Sequence, residues 1–256
     1  MTLSRKDRIA RAFDRAEDYD GEAEIQRIVA TRLAERVLAL NLDPSLPALE
    51  IGCGTGFLTE ALLAARRDLA LTISDIAPAM LDRARARIGE RPNLRYALID
   101  GEAPALPAAR FGLIVSSLAF QWFEHPLQSI ERLIPALTPG GRLAFSTLGA
   151  GSFREWTDAQ QQAGLVGLTR DYPHADLFSG IASEACEVDV NGYSLEQKHA
   201  DGKSFLRSLR AIGAHARWRD DAPAPTGRLR HAITLFEQKG ATISYEITEV
   251  VIRRVK

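Results

Sequence analysis

Three glycines at alternate positions end an apolar run and open a helical one: Ala48-Leu49-Glu50-Ile51-Gly52-Cys53-Gly54-Thr55-Gly56. Without a Cβ, the backbone of such a turn can press against a ligand. The helix that follows points its free N–H groups into the same space. Asp75, nineteen residues after Gly56, closes the next apolar run, where a carboxylate suits the two hydroxyls of a ribose. Asp100-Gly101-Glu102 closes a third run and suits an adenine amino group, and Ser117 closes a fourth. This is the chemistry of a nucleoside-type cofactor site. Taken alone, the glycine turn also fits a plain corner between strand and helix.

The spacing discriminates among nucleotides. A dinucleotide fingerprint, Gly-x-Gly-x-x-Gly/Ala, needs a small residue at position 57, where Phe57 stands. No Gly-Lys-Ser/Thr follows the turn, which excludes a P-loop. Pyrophosphate demands many free N–H groups and a tight helix entry. S-adenosylmethionine carries no phosphate and accepts the looser Gly-x-Gly-x-Gly turn with Glu50 in front. His125, His174, His199, His215 and His231 show no metal-ligand spacing. Cys53 sits in the turn itself, with backbone around it, and is assigned no nucleophilic role.

The elements that must position these residues follow from periodicity. Helices are expected over 3–16 and 22–40, the second with Ile25, Ile28, Val29, Leu33, Val37 and Leu40 at helical spacing. Strand 48–52 leads to helix 56–67, strand 70–75 to helix 78–88, strand 94–99 to a loop, and strand 111–117 to helix 126–137. Thr138-Pro139-Gly140-Gly141 then turns the chain into strand 142–147. Strands alternating with helices imply a parallel sheet with right-handed crossovers. Ligands bind beyond the carboxyl ends of such strands, where Gly52, Asp75, Asp100 and Ser117 all fall.

After residue 150 the pattern changes. Ser152-Phe153-Arg154-Glu155 has the form of a capping box opening a helix to about residue 164. A loop-rich stretch, 165–182, precedes strands at 184–190 and 193–199, helices at 203–213 and 226–239, and a last strand at 241–253. Alternation in that last strand suggests an antiparallel hairpin at one edge of the sheet.

Composition bounds the rest. The length of 256 residues with 46% hydrophobic content fits one large α/β domain. A formal charge of −1 gives no support to bulk nucleic-acid binding. Cys53 and Cys186 lie far apart, so a disulfide framework is not expected and a reducing compartment suits the chain. With no signal peptide and no apolar run long enough for a membrane span, a cytoplasmic protein is expected.

At these residues the chain resembles the class I S-adenosylmethionine methyltransferases. More narrowly it resembles the malonyl-[acyl-carrier protein] O-methyltransferases of biotin synthesis. Ile9-Ala10-Arg11-Ala12-Phe13-Asp14-Arg15-Ala16 with Tyr19 resembles the family's opening helix and its tyrosine. Leu49 to Gly56 resembles its cofactor loop, and Asp75-Ile76-Ala77-Pro78-Ala79-Met80-Leu81 its second-strand motif. More specific are Ser116-Ser117-Leu118-Ala119-Phe120-Gln121-Trp122, Leu143-Ala144-Phe145-Ser146-Thr147-Leu148 and Ser208-Leu209-Arg210-Ala211-Ile212-Gly213-Ala214. Residues 165–182 and 215–228 match poorly. A related branch, which includes arginine-hydroxylating assembly factors of respiratory complex I, also carries a Ser-Ser-Leu segment ending in Trp. The Phe-Ser-Thr-Leu and Ile-Gly-Ala segments favour the biotin branch.

The resemblance implies a doubly wound, mostly parallel, seven-stranded Rossmann-like sheet. It implies one methyltransferase domain over 1–256, with a helical lid (1–45), a cofactor half (46–150) and substrate-side elements (151–256). Cofactor contacts would come from Tyr19, Glu50, Gly52, Gly54, Gly56, Asp75, Met80, Asp100, Gly101, Glu102 and Ser117. Tyr19 would close over the pocket, or else pack its ring on the helix pair. Gln121 would face the substrate, while Trp122 fits either the site or the core. An Arg would meet the substrate carboxylate, with Arg154, Arg207 and Arg210 as candidates and a solvated surface charge as the alternative for each. Lys203, Arg207, Arg210, Arg217, Arg219, Arg228 and Arg230 face only Asp220 and Asp221 over 203–230, which suits an acidic acyl-carrier protein or an ordinary solvated face. No catalytic acid or base and no metal ligand is assigned, and a monomer is expected.

Overall fold

A computed structural model describes residues 4–15, 19–165, 171–212 and 225–256. Its strands are β1 (Ala48–Ile51), β2 (Leu71–Asp75), β3 (Leu94–Leu98), β4 (Phe111–Ser117), β5 (Leu137–Leu148), β6 (Cys186–Lys198) and β7 (Thr242–Arg254). They form one sheet in the order β3-β2-β1-β4-β5-β7-β6. The pairs β1–β2, β1–β4, β2–β3 and β4–β5 are parallel. The edge pair is antiparallel, closed at its ends by His199 N–H to the Ala241 carbonyl and Val255 N–H to the Ala185 carbonyl. Among the described residues two helices, rather than a tight turn, connect that pair, and the two strands expected over 184–199 are one continuous β6.

All four residues of β1 are buried, as a strand covered on both faces requires. Glu50 pairs in register with Ile73 on one side and Val115 on the other. The chain leaves β1 for β2 and β3 on one side, then crosses to β4 on the other. The boundary between β1 and β4 is therefore the topological switch point, where α/β sheets open a crevice.

Helices α1 (Arg5–Asp14), α2 (Tyr19–Glu22) and α3 (Glu24–Leu38) precede the sheet. Between strands lie α4 (Phe57–Ala65), α5 (Pro78–Ile88) and α6 (Pro126–Leu133). Pro78 and Pro126 open the last two, where a missing N–H costs nothing. α6 ends at Leu133, earlier than expected, and Ile134 keeps helical angles before Pro135. A 3-10 turn at Ile134–Ala136 then delivers the chain into β5. The expected turn at Thr138-Pro139-Gly140-Gly141 lies inside that strand, as a register shift opposite Phe111 and Leu113.

The remaining helices are α7 (Arg154–Gln162), α8 (Asp176–Ser179), α9 (Gly202–Ala211) and α10 (Thr226–Gln238). The capping box expected at Ser152 does not form. Phe153 stands at the N-cap with φ 61° and no side-chain cap. Ser152 and Glu155 are engaged elsewhere: the Ser152 hydroxyl donates to the Glu246 carbonyl at 3.0 Å, and Glu155 accepts the Ser244 N–H and hydroxyl at 2.9 and 2.6 Å. The backbone of β7 thus competes for both side chains. Capping boxes occur instead at Ser4–Asp7 and Asp201–Ser204.

The chain divides into two compact units. One comprises Glu24–Thr147, Ala175–Gly192 and Thr248–Lys256. Its core runs through Leu49, Ile51, Ile114, Phe120, Phe145, Phe178 and Ile252. Here Arg36 of α3 pairs with Asp189 at 2.6 Å and with buried Glu249 at 3.2 Å, tying the helix to β6 and β7. The other unit comprises Met1–Ala23, Leu148–His174 and Tyr193–Ile247. Its centre is aromatic. Trp156 meets Phe205 and Phe236 edge-on, and Phe153 meets Tyr245 the same way at 5.0 Å between centroids. No helix among the described residues is long and apolar enough to cross a membrane.

Candidate functional site

The glycine turn adopts the backbone its sequence requires. Gly52, Gly54 and Gly56 have φ of 68°, 54° and 95°, all in the left-handed region open to glycine. A Cβ on Gly52 would stand 2.5 Å from the Ala119 methyl, so the turn also lies directly against the segment leaving β4. Phe57, the residue that argued against a dinucleotide, is buried. Arg27 and Arg87 place their guanidinium groups over its ring at 4.5 and 4.3 Å.

Asp75 sits 7% exposed at the end of β2. Its Oδ2 accepts the Gly54 N–H at 2.9 Å, and its Oδ1 accepts the Ala77 N–H at 2.9 Å. One carboxylate therefore joins the glycine turn to the start of α5.

Behind the turn, Glu50 is wholly buried. Thr59 of α4 donates its hydroxyl to Glu50 Oε2, and the Ser74 hydroxyl donates to the Glu50 carbonyl at 2.6 Å. Burial pushes the Glu50 carboxyl up to about 8, against the Thr59 hydrogen bond and with the neighbouring Asp75 charge adding to the rise. Burial also drives the Cys53 thiol well above its ordinary range, as expected of a packed rather than nucleophilic cysteine. Met80 is buried in α5.

At the end of β3, Asp100 closes a turn by accepting the Glu102 N–H at 3.0 Å. Gly101 packs closely on Ile51 and Phe123. Glu102 is buried, and its Oε1 accepts the N–H groups of Glu124 and His125. Arg132 donates to its carbonyl at 2.6 Å. Glu102 therefore holds the loop after β4, a role its position in the sequence did not suggest.

Beyond β4, Ser117 is half-buried and Phe120–Trp122 forms a 3-10 turn. Phe120 stacks on Phe145 at 4.1 Å, which anchors the turn to β5. Gln121 is buried and Trp122 half-buried. The buried Oε1 of Gln121 and Oγ of Ser116 have no hydrogen-bond partner among the described residues. Buried polar atoms are rarely left so, and these two fit a site that completes its hydrogen bonds with a polar ligand. Two further residues beside Glu50, Thr59 and Ser74, were not expected from the sequence. Both are common hydroxyl residues within regular elements, with no motif to mark them.

One unit thus gathers Glu50, Gly52, Gly54, Gly56, Asp75, Met80, Asp100, Gly101, Glu102, Ser117, Gln121 and Trp122 at the carboxyl ends of four adjacent parallel strands. Tyr19, Arg154, Arg207 and Arg210 belong to the other unit. There Tyr19 opens α2 and is half-buried. Arg154 is 57% exposed and reaches Glu155 at 3.0 Å. Arg207 and Arg210 are exposed on α9, three residues apart and so on one face. Ala16, Gly213, Ala214, His215, Arg217, Arg219, Asp220 and Asp221 lie outside the described residues.

Known proteins agree with this geometry. Residues 49–143 match a methyltransferase domain family. The chain is 41% identical over 242 residues to the biotin biosynthesis bifunctional protein BioCD of Bordetella avium, covering 93% of this chain and 50% of that protein. It is 34% identical over 247 residues to the malonyl-[acyl-carrier protein] O-methyltransferase of Magnetococcus marinus, covering 95% of this chain and 91% of the relative. Among solved structures, phosphoethanolamine N-methyltransferase 2 of Haemonchus contortus, determined with S-adenosylhomocysteine, superimposes with a TM-score of 0.62. That likeness, at 15% identity over 99% of this chain and 60% of that one, shows the shared fold. S-adenosylmethionine is accordingly the methyl donor. With the turn at the switch point and the similarity running almost end to end, the chain belongs to the malonyl-[acyl-carrier protein] O-methyltransferase family.

Proposed function

We propose that this chain transfers a methyl group from S-adenosylmethionine to the free carboxylate of a malonyl thioester on acyl-carrier protein, giving the methyl ester that primes biotin synthesis. One observation carries the substrate assignment. Similarity to a relative of that name extends over 95% of the chain, well beyond the 49–143 segment common to methyltransferases at large. The residues outside that segment are those from which substrate selection is drawn.

The chemistry asks little of side-chain acids or bases. A malonyl half-thioester is already ionised at neutral pH, since carboxyl groups titrate near pKa ~4. When bound, S-adenosylmethionine supplies the electrophilic methyl group. The protein's task is to align acceptor oxygen, methyl carbon and sulfur and to exclude water, and alignment is worth roughly 7–11 kcal/mol in favourable cases.

In this assignment Gly52, Gly54 and Gly56 give the cofactor's amino-acid portion close backbone approach, with Glu50 behind them. Asp75 accepts from the ribose hydroxyls, Asp100 from the adenine amine, and the backbone around Ser117 faces the cofactor's amino group. Gly101, Glu102 and Met80 shape that half of the site. Tyr19, on the lid formed by residues 1–45, closes over the cofactor. Gln121 and Trp122 contact the acyl unit, and Arg154, Arg207 or Arg210 meets its carboxylate. The exposed pair on α9 also suits an acidic carrier protein. The enzyme acts as a cytoplasmic monomer, without nucleic acid or membrane.

The test is mass spectrometry of malonyl-carrier protein incubated with S-adenosylmethionine, beside malonyl-CoA and free malonate. A gain of one methyl group on the carrier-bound acid is expected. An unchanged acyl mass overturns the assignment. Methylation of free malonate alone would make the chain a small-molecule carboxyl methyltransferase, and oxygen incorporation into an arginine would make it a protein hydroxylase.

A further inference from the structure

Leu118 has φ of 50°, a left-handed conformation that a γ-branched residue with no special local hydrogen bond adopts only under constraint. The constraint is visible. Its N–H is held at 3.1 Å by the Ser146 carbonyl and also at 3.1 Å by the Ser146 hydroxyl oxygen. Ser146 is fully buried on β5, in register with Ser117 of β4, and its hydroxyl hydrogen is directed to Ser117 Oγ at 3.3 Å. One buried hydroxyl therefore accepts from the strained residue and donates to its predecessor.

The left-handed residue reverses the chain where β4 ends. The next residue, Ala119, holds its methyl 2.5 Å from where a Cβ of Gly52 would stand, which sets how closely the glycine turn can lie to this segment. After it, Phe120 stacks on Phe145, the neighbour of Ser146 in β5. Gln121 follows, buried and with its Oε1 unpartnered among the described residues. Backbone strain concentrates at functional sites because the surrounding structure fixes a geometry that relaxation would lose.

We propose that Ser146 is a positioning residue for the methyl-transfer site. Its hydroxyl holds Leu118 in the left-handed conformation, and the resulting turn fixes both the Gly52–Ala119 contact and the placement of Gln121. Ser146 acts through Leu118 and touches neither cofactor nor acceptor. The inference rests on the assignment of this crevice as the cofactor cleft.

The experiment compares wild type, Ser146→Ala, Leu118→Gly and the double variant by calorimetric S-adenosylhomocysteine affinity, with melting temperature recorded in parallel. Loss of one hydrogen bond to the strained backbone should weaken Ser146→Ala by about two- to tenfold in affinity. Glycine occupies the left-handed region freely, so Leu118→Gly should restore the double variant to within about twofold of Leu118→Gly alone. That recovery cannot come from a general folding defect, because Leu118→Gly removes side-chain packing and adds no contact. Unchanged affinity in Ser146→Ala, with or without a lower melting temperature, overturns the proposal, as does a double variant no better than Ser146→Ala. Asp75→Asn serves as the separate control. If it too leaves affinity unchanged, the cleft assignment fails; if it weakens binding while Ser146→Ala does not, only the role of Ser146 fails.

Discussion

Asp75 holds Gly54: the carboxylate at the end of β2 accepts the amide N–H of the central glycine in the turn after β1, at 2.9 Å. The same carboxylate accepts the Ala77 N–H on its other oxygen. A residue expected from sequence to serve a ribose fixes the backbone of the glycine turn. Removing the carboxylate should act on both at once. Asp75→Ala is expected to weaken S-adenosylmethionine binding by roughly 1.5–3 kcal/mol, the value of a hydrogen bond to a charged group. Titration calorimetry measures it, and unchanged affinity would remove Asp75 from the site.

Gly52 and Gly140 share a left-handed backbone but differ in surroundings. A Cβ on Gly52 meets Ala119 at 2.5 Å, whereas one on Gly140 meets nothing within 4 Å. Gly140→Ala should cost about 1–2 kcal/mol of stability, the left-handed penalty alone. Gly52→Ala should add about 1–3 kcal/mol from overpacking and should also weaken cofactor binding. Denaturant melts of the two variants make the comparison. Equal losses would mean that the close approach of turn and loop carries no energetic weight.

Glu50 makes the stability of the ligand-free protein depend on pH. Its carboxyl stands near 8 in the folded chain against 4.5 as its ordinary value, so between those values the folded state holds a proton that the unfolded chain has released. The stabilisation is fully present below 4.5 and is lost as pH rises through about 8. Glu50→Gln keeps an acceptor for Thr59 but no titrating group. Its melting temperature should therefore gain on wild type steadily as pH is raised across that window. Parallel curves would show that Glu50 is ionised in the folded protein.

Arg207 and Arg210 are exposed on one face of α9. Reversing both charges, as Arg207→Glu with Arg210→Glu, should lower kcat/KM on malonyl-carrier protein by about tenfold at low salt and by less at high salt, because steering by exposed charge is screened. Affinity for S-adenosylmethionine should not change. A loss that ignores salt, or one shared by cofactor binding, would point away from carrier encounter.

The features legible in the sequence were those set by local rules. Gly52, Gly54 and Gly56 announce their backbone because only glycine takes those angles cheaply, and Asp75 is located by where an apolar run stops. Strand alternation gave the parallel half of the sheet nearly to the residue, as at Phe111–Ser117. Competition between distant partners was not legible. Ser152 and Glu155 have the form of a capping box, yet β7 claims both side chains. Glu102, expected beside the adenine, also binds the backbone of residues 124 and 125, a partnership that nothing near it in sequence announces. Whether Trp122 joined the core was not legible either: stacking of Phe120 on Phe145 fixes the turn that carries it, and leaves it half-buried. Leu118 gives no sign in the sequence of its left-handed backbone, since the constraint comes from Ser146, twenty-eight residues away.

The most direct test is a crystal structure of the chain with S-adenosylhomocysteine. The ribose hydroxyls should lie within hydrogen-bond distance of the Asp75 carboxylate while Gly54 N–H keeps its own bond to the same group. A nucleoside bound elsewhere, with its ribose hydroxyls out of reach of the Asp75 carboxylate, would contradict the account.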